Sequence, residues 1–144
     1  LLALFSIPLV IGNIPHALKG DPLHPSMLPI VAAGQAQLVS SAMEFNDHIR
    51  LMPTPGHTPG HVSVRIRSAG EEAVITGDMM HHPCQIAHPE WSTVLDHNAD
   101  DSHKTRLDFL GRCAQTPVLV IGTHFVTPTA GRIVRDGDAY RLDY

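Results

Sequence analysis

Three short segments of the sequence carry residue types that can bind a metal ion. The first, TPGHTPGH, covers residues 54–61 and contains His57; the second, TGD, ends at Asp78; the third, GTHF, contains His124. Imidazole nitrogens and carboxylate oxygens are ligands suited to Zn²⁺, Mn²⁺ or Fe²⁺. The glycines and prolines around His57 stiffen its loop, which lowers the entropy lost when a ligand is held there. The three segments therefore predict metal-dependent chemistry.

The strands beside these segments are expected to bring them together. Residues 62–67 alternate apolar and polar side chains, as in a half-buried strand, and residues 73–76 return as a more buried strand after a turn at 68–72. The two alternating sets are Val62, Val64 and Ile66 against Ser63, Arg65 and Arg67. Strands joined by so short a loop pair antiparallel. His57 and Asp78, at the entry of one strand and the exit of the next, are therefore predicted to be neighbours.

A third strand is predicted to deliver His124 to the same region. Residues 118–121 form a continuous apolar run of strand length, suited to burial on both faces. Gly122 follows and would let the backbone turn sharply.

The other elements predict a mixed α and β fold. A helix is expected from a cap at Asp101 or Ser102 to about Ala114, with Leu107, Leu110 and Ala114 on one face. The remaining predicted elements are a loop at 16–25, a helix at 27–33 capped by Ser26 and stopped by Gly34, strands at 37–39 and 49–52, an irregular stretch at 77–98, and a hairpin of 132–135 with 139–142 around Asp-Gly-Asp.

Length and composition limit the class of protein. The 144 residues are the size of one domain, so we expect a single domain over 1–144 with an irregular segment at 1–25. The chain is 43% hydrophobic and 17% charged, with a net charge of −4 and 11 histidines. No basic cluster is present, which argues against binding to nucleic acid or to an anionic membrane. The apolar run 1–14 is too short for a membrane span and contains a proline; a buried strand or the edge left by a missing upstream segment fits it better.

Cysteine usage favours a reducing compartment. Cys84 and Cys113 are too few for a disulfide scaffold, and no CxxC pair occurs. A single disulfide between these two cysteines is one alternative, but a reduced cytoplasmic chain is the simpler interpretation.

Taken together in this order and spacing, TPGHTPGH, TGD and GTHF resemble the metallo-β-lactamase-fold hydrolases. The match runs from about Leu28 to Tyr144. Within the superfamily, GDMMHHP and the C-terminal RIVRDGDAYRL are most similar to the branch that contains methyl-parathion-hydrolase-like and acyl-homoserine-lactonase-like enzymes. This resemblance implies an αββα sandwich with a dinuclear metal site, normally zinc, with Mn or Fe as alternatives.

The resemblance also implies a role for each motif residue. His57 is similar to the ligand that completes the first metal site, Asp78 to the carboxylate that bridges both metals and takes part in catalysis, and His124 to a ligand of the second metal. The family's HxHxDH motif, which supplies further ligands, is absent from these 144 residues. The chain therefore resembles an N-terminally truncated, C-terminal part of a family member.

Other residues near the motifs are weighed as supporting groups. His61 is expected to be structural and to hydrogen-bond the loop from within the core. Four more residues are placed in the second shell or the substrate pocket: His81, His82, Thr58 and Phe125. For every histidine, the alternative is an ordinary buried or surface imidazole without a ligand.

The resulting hypothesis is a metal-dependent hydrolase in which a metal-activated hydroxide attacks a small-molecule ester, lactone or phosphotriester. No Gly-x-Ser-x-Gly segment is present to support a serine mechanism. The sequence leaves open whether the chain forms a homodimer. The alternative is an inactive truncated fragment, or a module that binds metal weakly or serves in protein interaction.

Overall fold

The computed structural model describes residues 9–10, 29–37 and 39–144. The chain divides into two compact units, Leu1–Ser40 and Ser41–Tyr144. In the first unit, β1 (Leu9–Val10) pairs in parallel with β2 (Ala36–Gln37).

A short helix, α1, occupies residues 29–32 of the first unit, within the predicted span 27–33. It ends as expected at Gly34, whose φ is +68° and whose N–H donates to the carbonyl of Val31. The Ser26 cap, the predicted loop at 16–25 and all of the apolar run 1–14 except β1 lie outside the described residues.

The second unit is built on one six-stranded sheet. Its strands are β3 (Ile49–Pro53), β4 (Val62–Ser68), β5 (Glu71–Ile75), β6 (Leu119–Ile121), β7 (Ala130–Asp136) and β8 (Ala139–Asp143). They lie side by side in chain order, and every neighbouring pair is antiparallel except β5 and β6, which are parallel. The start of β4 and the ends of β5 and β6 therefore meet at one edge of the sheet.

Two tight turns set the register of the hairpins. The β7–β8 hairpin turns at the predicted Asp-Gly-Asp, with Gly137 at φ +61°. The β4–β5 turn is tighter than predicted: only Ala69 and Gly70 lie outside the strands, both with positive φ. β5 consequently begins at Glu71, two residues before its predicted start.

Three helical segments follow β5 in the part of the chain that the structure describes. They are a 3₁₀ turn at Gly77–Met79, α2 at Cys84–Ala87 and α3 at Ala99–Cys113. The predicted start of α3 is wrong: its N-cap is Asn98, whose backbone is extended and whose Oδ1 accepts the N–H of Asp101 at 3.1 Å. Because Asn, Asp and Ser are all good caps, a run containing several of them does not specify which one ends the extended backbone.

The buried face of α3 is also partly different from the prediction. Leu110 is buried as expected and Ala114 packs at the margin of the core, but Leu107 is 43% exposed. The inward positions instead include Phe109 and the fully buried Arg106. Apolarity alone predicted part of this face and misplaced Leu107, because a charged residue takes one of the core positions.

The core lies on the helix-facing side of the sheet. Its members come from the sheet, from α2 and α3, and from the segments between them: Val74, Met79, Met80, Ile86, Phe109, Leu110, Cys113, Val118, Val120, Phe125, Ile133 and Leu142. Within β6, Val120 is fully buried while Leu119 and Ile121 are half-buried, so this strand is less completely covered than predicted.

The most deeply buried residue of β4 lies on its polar side, contrary to the sequence expectation, although Arg67 on that side is exposed. Ser63 is fully buried, whereas Val62, Val64 and Ile66 are half-buried. The Ser63 hydroxyl tolerates burial because it donates to the carbonyl of Thr76 at 2.9 Å. Mixed α and β structure is nevertheless confirmed, and in the described part of the chain no helix is both long and apolar enough to cross a membrane.

Candidate metal centre

The three motif segments converge at the sheet edge where β4 begins and β5 and β6 end. We call this rim, formed by residues 54–61, 76–82 and 122–125, the site edge. Asp78 lies between two imidazoles: its Oδ2 is 3.5 Å from Nε2 of His57, and its Oδ1 is 2.7 Å from Nε2 of His124. The predicted proximity of His57 and Asp78 is thus present, and β6 adds His124 as expected.

The three side chains differ in exposure. His57 is 15% exposed, while Asp78 and His124 are each 44% exposed. The Asp78–His124 pair is therefore open to solvent on one side. Burial alone would raise the pKa of Asp78. The hydrogen bond from His124 and the charges of the nearby histidines lower this pKa by more than burial raises it. The net pKa lies below the ordinary value, which keeps this carboxylate ionised and available to a cation.

His81 completes the cluster of imidazoles. Its ring centroid is 5.0 Å from that of His57 and 5.0 Å from that of His124, on which it stacks. Burial, and then the proximity of His57 and His124, lower the pKa of His81. Ligand atoms of Asp78, His81 and His124 lie within 4.8 Å of one another, as do those of His57, His81 and Asp96.

One buried atom at the site edge has no protein partner. Among the described residues, three buried side-chain atoms lack a hydrogen bond: Arg65 Nε, His81 Nδ1 and Ser102 Oγ. A buried polar atom without a partner is costly, and in a native structure it points to a missing water, ion or ligand. Imidazole and carboxylate donors around an orphaned imidazole nitrogen fit a divalent transition metal such as zinc.

His61 links the first motif to the second. Its Nε2 accepts the main-chain N–H of Asp78 at 2.9 Å, so the neutral ring carries its proton on Nδ1. Nδ1 then donates to Thr54, whose carbonyl lies at 3.0 Å and whose hydroxyl lies at 2.9 Å. Burial is the largest influence on the pKa of His61 and lowers it, in agreement with a neutral ring.

Buried hydroxyls continue this chain of hydrogen bonds into the sheet. Thr54 Oγ1 lies 3.1 Å from Ser63 Oγ, which in turn donates to the carbonyl of Thr76. Oγ1 of Thr76 accepts the N–H of Thr123 at 3.3 Å. The loops that carry the three motifs are therefore joined through fully buried groups.

Two glycines of the motifs are required by close approaches. At Gly77, where φ is +60°, an added Cβ would lie 2.8 Å from Nε2 of His61. At Gly122, an added Cβ would lie 2.1 Å from the ring of Phe125. The chain turns sharply after Gly122 as predicted, since the N–H of Phe125 donates to the Gly122 carbonyl at 3.2 Å, but Gly122 has no positive φ, and it is the close approach of Phe125 that requires a glycine.

The remaining predicted pocket residues lie in different surroundings. Phe125 is only 5% exposed and belongs to the hydrophobic core. His82 is exposed, and its Nδ1 accepts the N–H of Cys84 at 3.1 Å. Thr58 is also exposed, and its main-chain carbonyl accepts the N–H groups of Gly56 and His61.

Sequence reasoning missed three buried polar residues behind the site edge. Asp96 Oδ1 lies 3.2 Å from Nδ1 of His57, and Oδ2 lies 3.4 Å from NH1 of Arg106. Gln85 accepts the N–H of His81 at 2.7 Å and donates to the carbonyl of Trp91. These residues fall in or beyond the irregular stretch 77–98, where no motif or periodicity singles them out.

Comparison with known proteins assigns the family. The profile described as the metallo-beta-lactamase superfamily matches residues 44–124, more than half of the chain, which includes His57, Asp78 and His124. The chain belongs to the metallo-β-lactamase superfamily. A search of curated protein sequences finds no match.

Solved structures share the fold of this superfamily member. AidC, a dizinc quorum-quenching lactonase solved with the product N-hexanoyl-L-homoserine, has a TM-score of 0.72 at 25% identity, covering 88% of this chain and 46% of its own. The hydrolase AbOPH of the beta lactamase superfamily has a TM-score of 0.76 at 22% identity, covering 94% and 54%. An N-acyl homoserine lactone hydrolase with product at its catalytic metal centre has a TM-score of 0.55 at 14% identity, covering 65% and 37%.

These comparisons confirm the metallo-β-lactamase fold class predicted from the three motifs. The chain spans about half the length of AidC and of AbOPH. Lactonases are among its structural neighbours, which is the chemistry that the sequence resemblance implied.

Proposed function

We propose that this chain forms the metal-binding edge of a hydrolase that acts on small esters, lactones or phosphotriesters. The observation that carries the proposal is the placement of Asp78 between His57 and His124, with a different carboxylate oxygen toward each. Three residues from three separate strand ends meet here, although they are far apart in the sequence.

The metal we propose is zinc, with two ions in an intact site: His57 would serve the first, His124 the second, and Asp78 both. When bound, such a cation supplies Lewis-acid polarisation and lowers the pKa of water. The half-exposed His124 and Asp78 leave the site accessible from solvent, so a small molecule can reach it.

The surrounding residues have proposed roles of their own. His61 orients the main chain of Asp78 and is structural. The unpartnered Nδ1 of His81 is free to bind the zinc or to hydrogen-bond a substrate oxygen. His82, Thr58 and Phe125 remain proposed as second-shell or pocket residues; of these, Phe125 acts from the core by packing under the loop.

Among substrate classes, we favour a lactone. AidC, at 25% identity, is a lactonase solved with an opened acyl-homoserine product. A lactonase and an esterase need the same polarised carbonyl, so the choice is made by direct comparison of an acyl-homoserine lactone, p-nitrophenyl acetate and paraoxon as substrates.

The compartment we propose is the reducing cytoplasm. Cys84 and Cys113 are both free thiols. Burial raises the pKa of Cys113 to about 11, so this thiol is protonated at neutral pH and does not act as a nucleophile.

Zinc binding by the chain tests the proposal. Because the HxHxDH ligands are absent from these 144 residues, we expect the purified chain to bind zinc more weakly than an intact site would, measured by titration against a chromophoric chelator and by plasma mass spectrometry. Asp78→Asn should weaken zinc binding by more than the roughly 10- to 100-fold that the loss of an outer contact costs. His48→Ala is the control, because His48 is exposed and its hydrogen bonds in the described structure go to Asn46 and to Arg67, at the end of the sheet away from the site edge.

Equal zinc content in Asp78→Asn and in the wild type would overturn the assignment. A folded wild-type chain that binds no zinc would favour the alternative, an inactive fragment that needs further ligands.

A further inference from the structure

Behind His57 lies a buried ion pair that the hydrolase motifs do not contain. The side chains of Asp96 and Arg106 are both 0% exposed, and Oδ2 of Asp96 is 3.4 Å from NH1 of Arg106. A buried charge is tolerated only when it is paired and hydrogen-bonded. The other oxygen of this carboxylate contacts His57, so the pair joins the interior to the site edge.

Contact with a carboxylate determines the tautomer of His57. An ionised carboxylate can only accept hydrogen bonds, so Nδ1 of His57 is the donor to Asp96 at 3.2 Å. In a neutral ring, Nε2 then keeps its lone pair, and this is the atom that lies 3.5 Å from Asp78. The ring is held at one nitrogen and presents the other.

Arg106 fixes the position of Asp96 relative to the rest of the site edge. Its guanidinium donates to the carbonyls of Pro89 at 2.7 Å and Met79 at 3.3 Å, and to Ser92 Oγ at 3.0 Å. Met79 directly follows Asp78 in the 3₁₀ turn. One cation therefore ties the turn that carries Asp78 to the carboxylate that holds His57.

The backbone supports the same connection. The carbonyls of Gly56 and His57 accept the N–H groups of Asn98 and His97, each at 3.0 Å. An added Cβ at Gly56 would lie 2.4 Å from the backbone of Ser102 in α3, so loop and helix are in direct contact. The loop that contains His57 is thus attached to the same helix that provides Arg106.

We propose that Asp96, held by Arg106, is a positioning residue that fixes the ring of His57 with Nε2 directed at the metal-binding position. The proposal rests on the proposed metal site, but the orientation of the ring can be measured without metal. Hydrogen bonds from ligand histidines to carboxylates fix tautomer and orientation, and losing one costs about 10- to 100-fold in metal affinity.

The test is Asp96→Asn, which preserves shape and removes the charge. The control is Asp108→Asn, in the Asp108–Arg112 pair on α3, the helix that also carries Arg106; both side chains of this pair are more than 60% exposed. The first readout is the ¹⁵N chemical shifts of the His57 ring in the metal-free chain, which report the tautomer. The second is the zinc dissociation constant from chelator competition.

The expected result is a single Nδ1–H tautomer of His57 in the wild type and in Asp108→Asn. In Asp96→Asn we expect a shift toward a mixture of tautomers and about 10- to 100-fold weaker zinc binding. Unchanged His57 shifts in folded Asp96→Asn, or a loss of zinc affinity no greater than in Asp108→Asn, would overturn the proposal.

Two further arms keep the outcome decisive. If circular dichroism shows that Asp96→Asn does not fold, the double variant Asp96→Asn with Arg106→Gln removes both buried charges. Its His57 tautomer is then measured in the same way and compared with that of the control double variant, Asp108→Asn with Arg112→Gln. If the wild type binds no zinc, the proposed function fails, while the ring shifts of metal-free His57 still support or refute the positioning role.

Discussion

The site edge and the opposite end of the β4–β5 hairpin both carry several charged or titratable groups, yet they are organised differently. At the hairpin end, Glu72 bonds to Arg65 and to Nε of Arg67, so one anion is shared by two cations. At the site edge, three imidazoles gather around the half-exposed carboxylate of Asp78, which is the only carboxylate that His124 contacts in the described structure.

The difference teaches how to tell a structural cluster from a binding cluster. Opposite charges in contact satisfy one another and need no ligand. The ring of His81 lies 5.0 Å from the rings of both His57 and His124, and its burial together with these two neighbours lowers its pKa. A bound cation accepts lone pairs from several imidazole nitrogens at once, so repetition of one donor type indicates a binding cluster.

The largest effect should come from the glycines that turn the chain at the two regions. Gly77→Ala places a Cβ 2.8 Å from His61 at a positive φ, whereas Gly70→Ala has nothing within 4 Å. We expect Gly77→Ala to lower the free energy of unfolding by about 2–4 kcal/mol and to weaken zinc binding. Gly70→Ala should cost only about 1 kcal/mol and leave zinc binding unchanged. Chemical denaturation and chelator competition measure both, and equal losses for the two variants would contradict the comparison.

A smaller effect is expected along β4, which connects the two regions. Ser63→Ala removes the buried hydroxyl that donates to Thr76 and leaves that carbonyl without its side-chain donor. We expect a loss of about 1–3 kcal/mol in urea denaturation. Ser68→Ala, at the exposed end of the same strand, should stay within about 0.5 kcal/mol of the wild type. A neutral Ser63→Ala would show that the hydroxyl chain does not support the site edge.

The smallest effect concerns pH at the hairpin end. Burial raises the pKa of Glu72, but its bonds to Arg65 and Arg67 outweigh this and hold the pKa below the ordinary 4.5. A lowered folded-state pKa adds stability that is fully present above pH 4.5 and disappears as the pH falls through the folded-state value.

Glu72→Gln should therefore be less stable at pH 7 by at most about 1 kcal/mol, and the two proteins should converge in acid. Thermal unfolding between pH 3 and 7 measures the difference, with the exposed Glu71→Gln as control. A difference that grows as the pH falls would have the wrong sign for this ion pair.

The part of the site that could be predicted from the sequence follows from local pairing. A short turn makes β4 and β5 antiparallel, which brings His57 to Asp78 by geometry alone. The motif TPGHTPGH also indicated His61 as a structural residue, and the bonds of His61 to Thr54 and Asp78 suit that role.

The rest could not be predicted because it depends on contacts across long stretches of chain. Asp96 and Arg106 pair only after α3 packs against the 3₁₀ turn, and neither follows an apolar period. Helical patterning places the apolar Leu107 in the core and the charged Arg106 in solvent, but Arg106 is buried and Leu107 is exposed. An arginine in a sequence looks exposed until the carboxylate and carbonyls that surround it are known.

The parallel pairing of β5 and β6 has a consequence for the order of folding. Hairpins close over a few residues, whereas β6 can join β5 only after the chain carrying α2 and α3 has crossed over. Asp78 and His124, 46 residues apart, meet only at that step. Non-local closures of this kind are slow. We therefore expect the site edge to form late in folding, so that metal binding begins only after β6 has paired with β5.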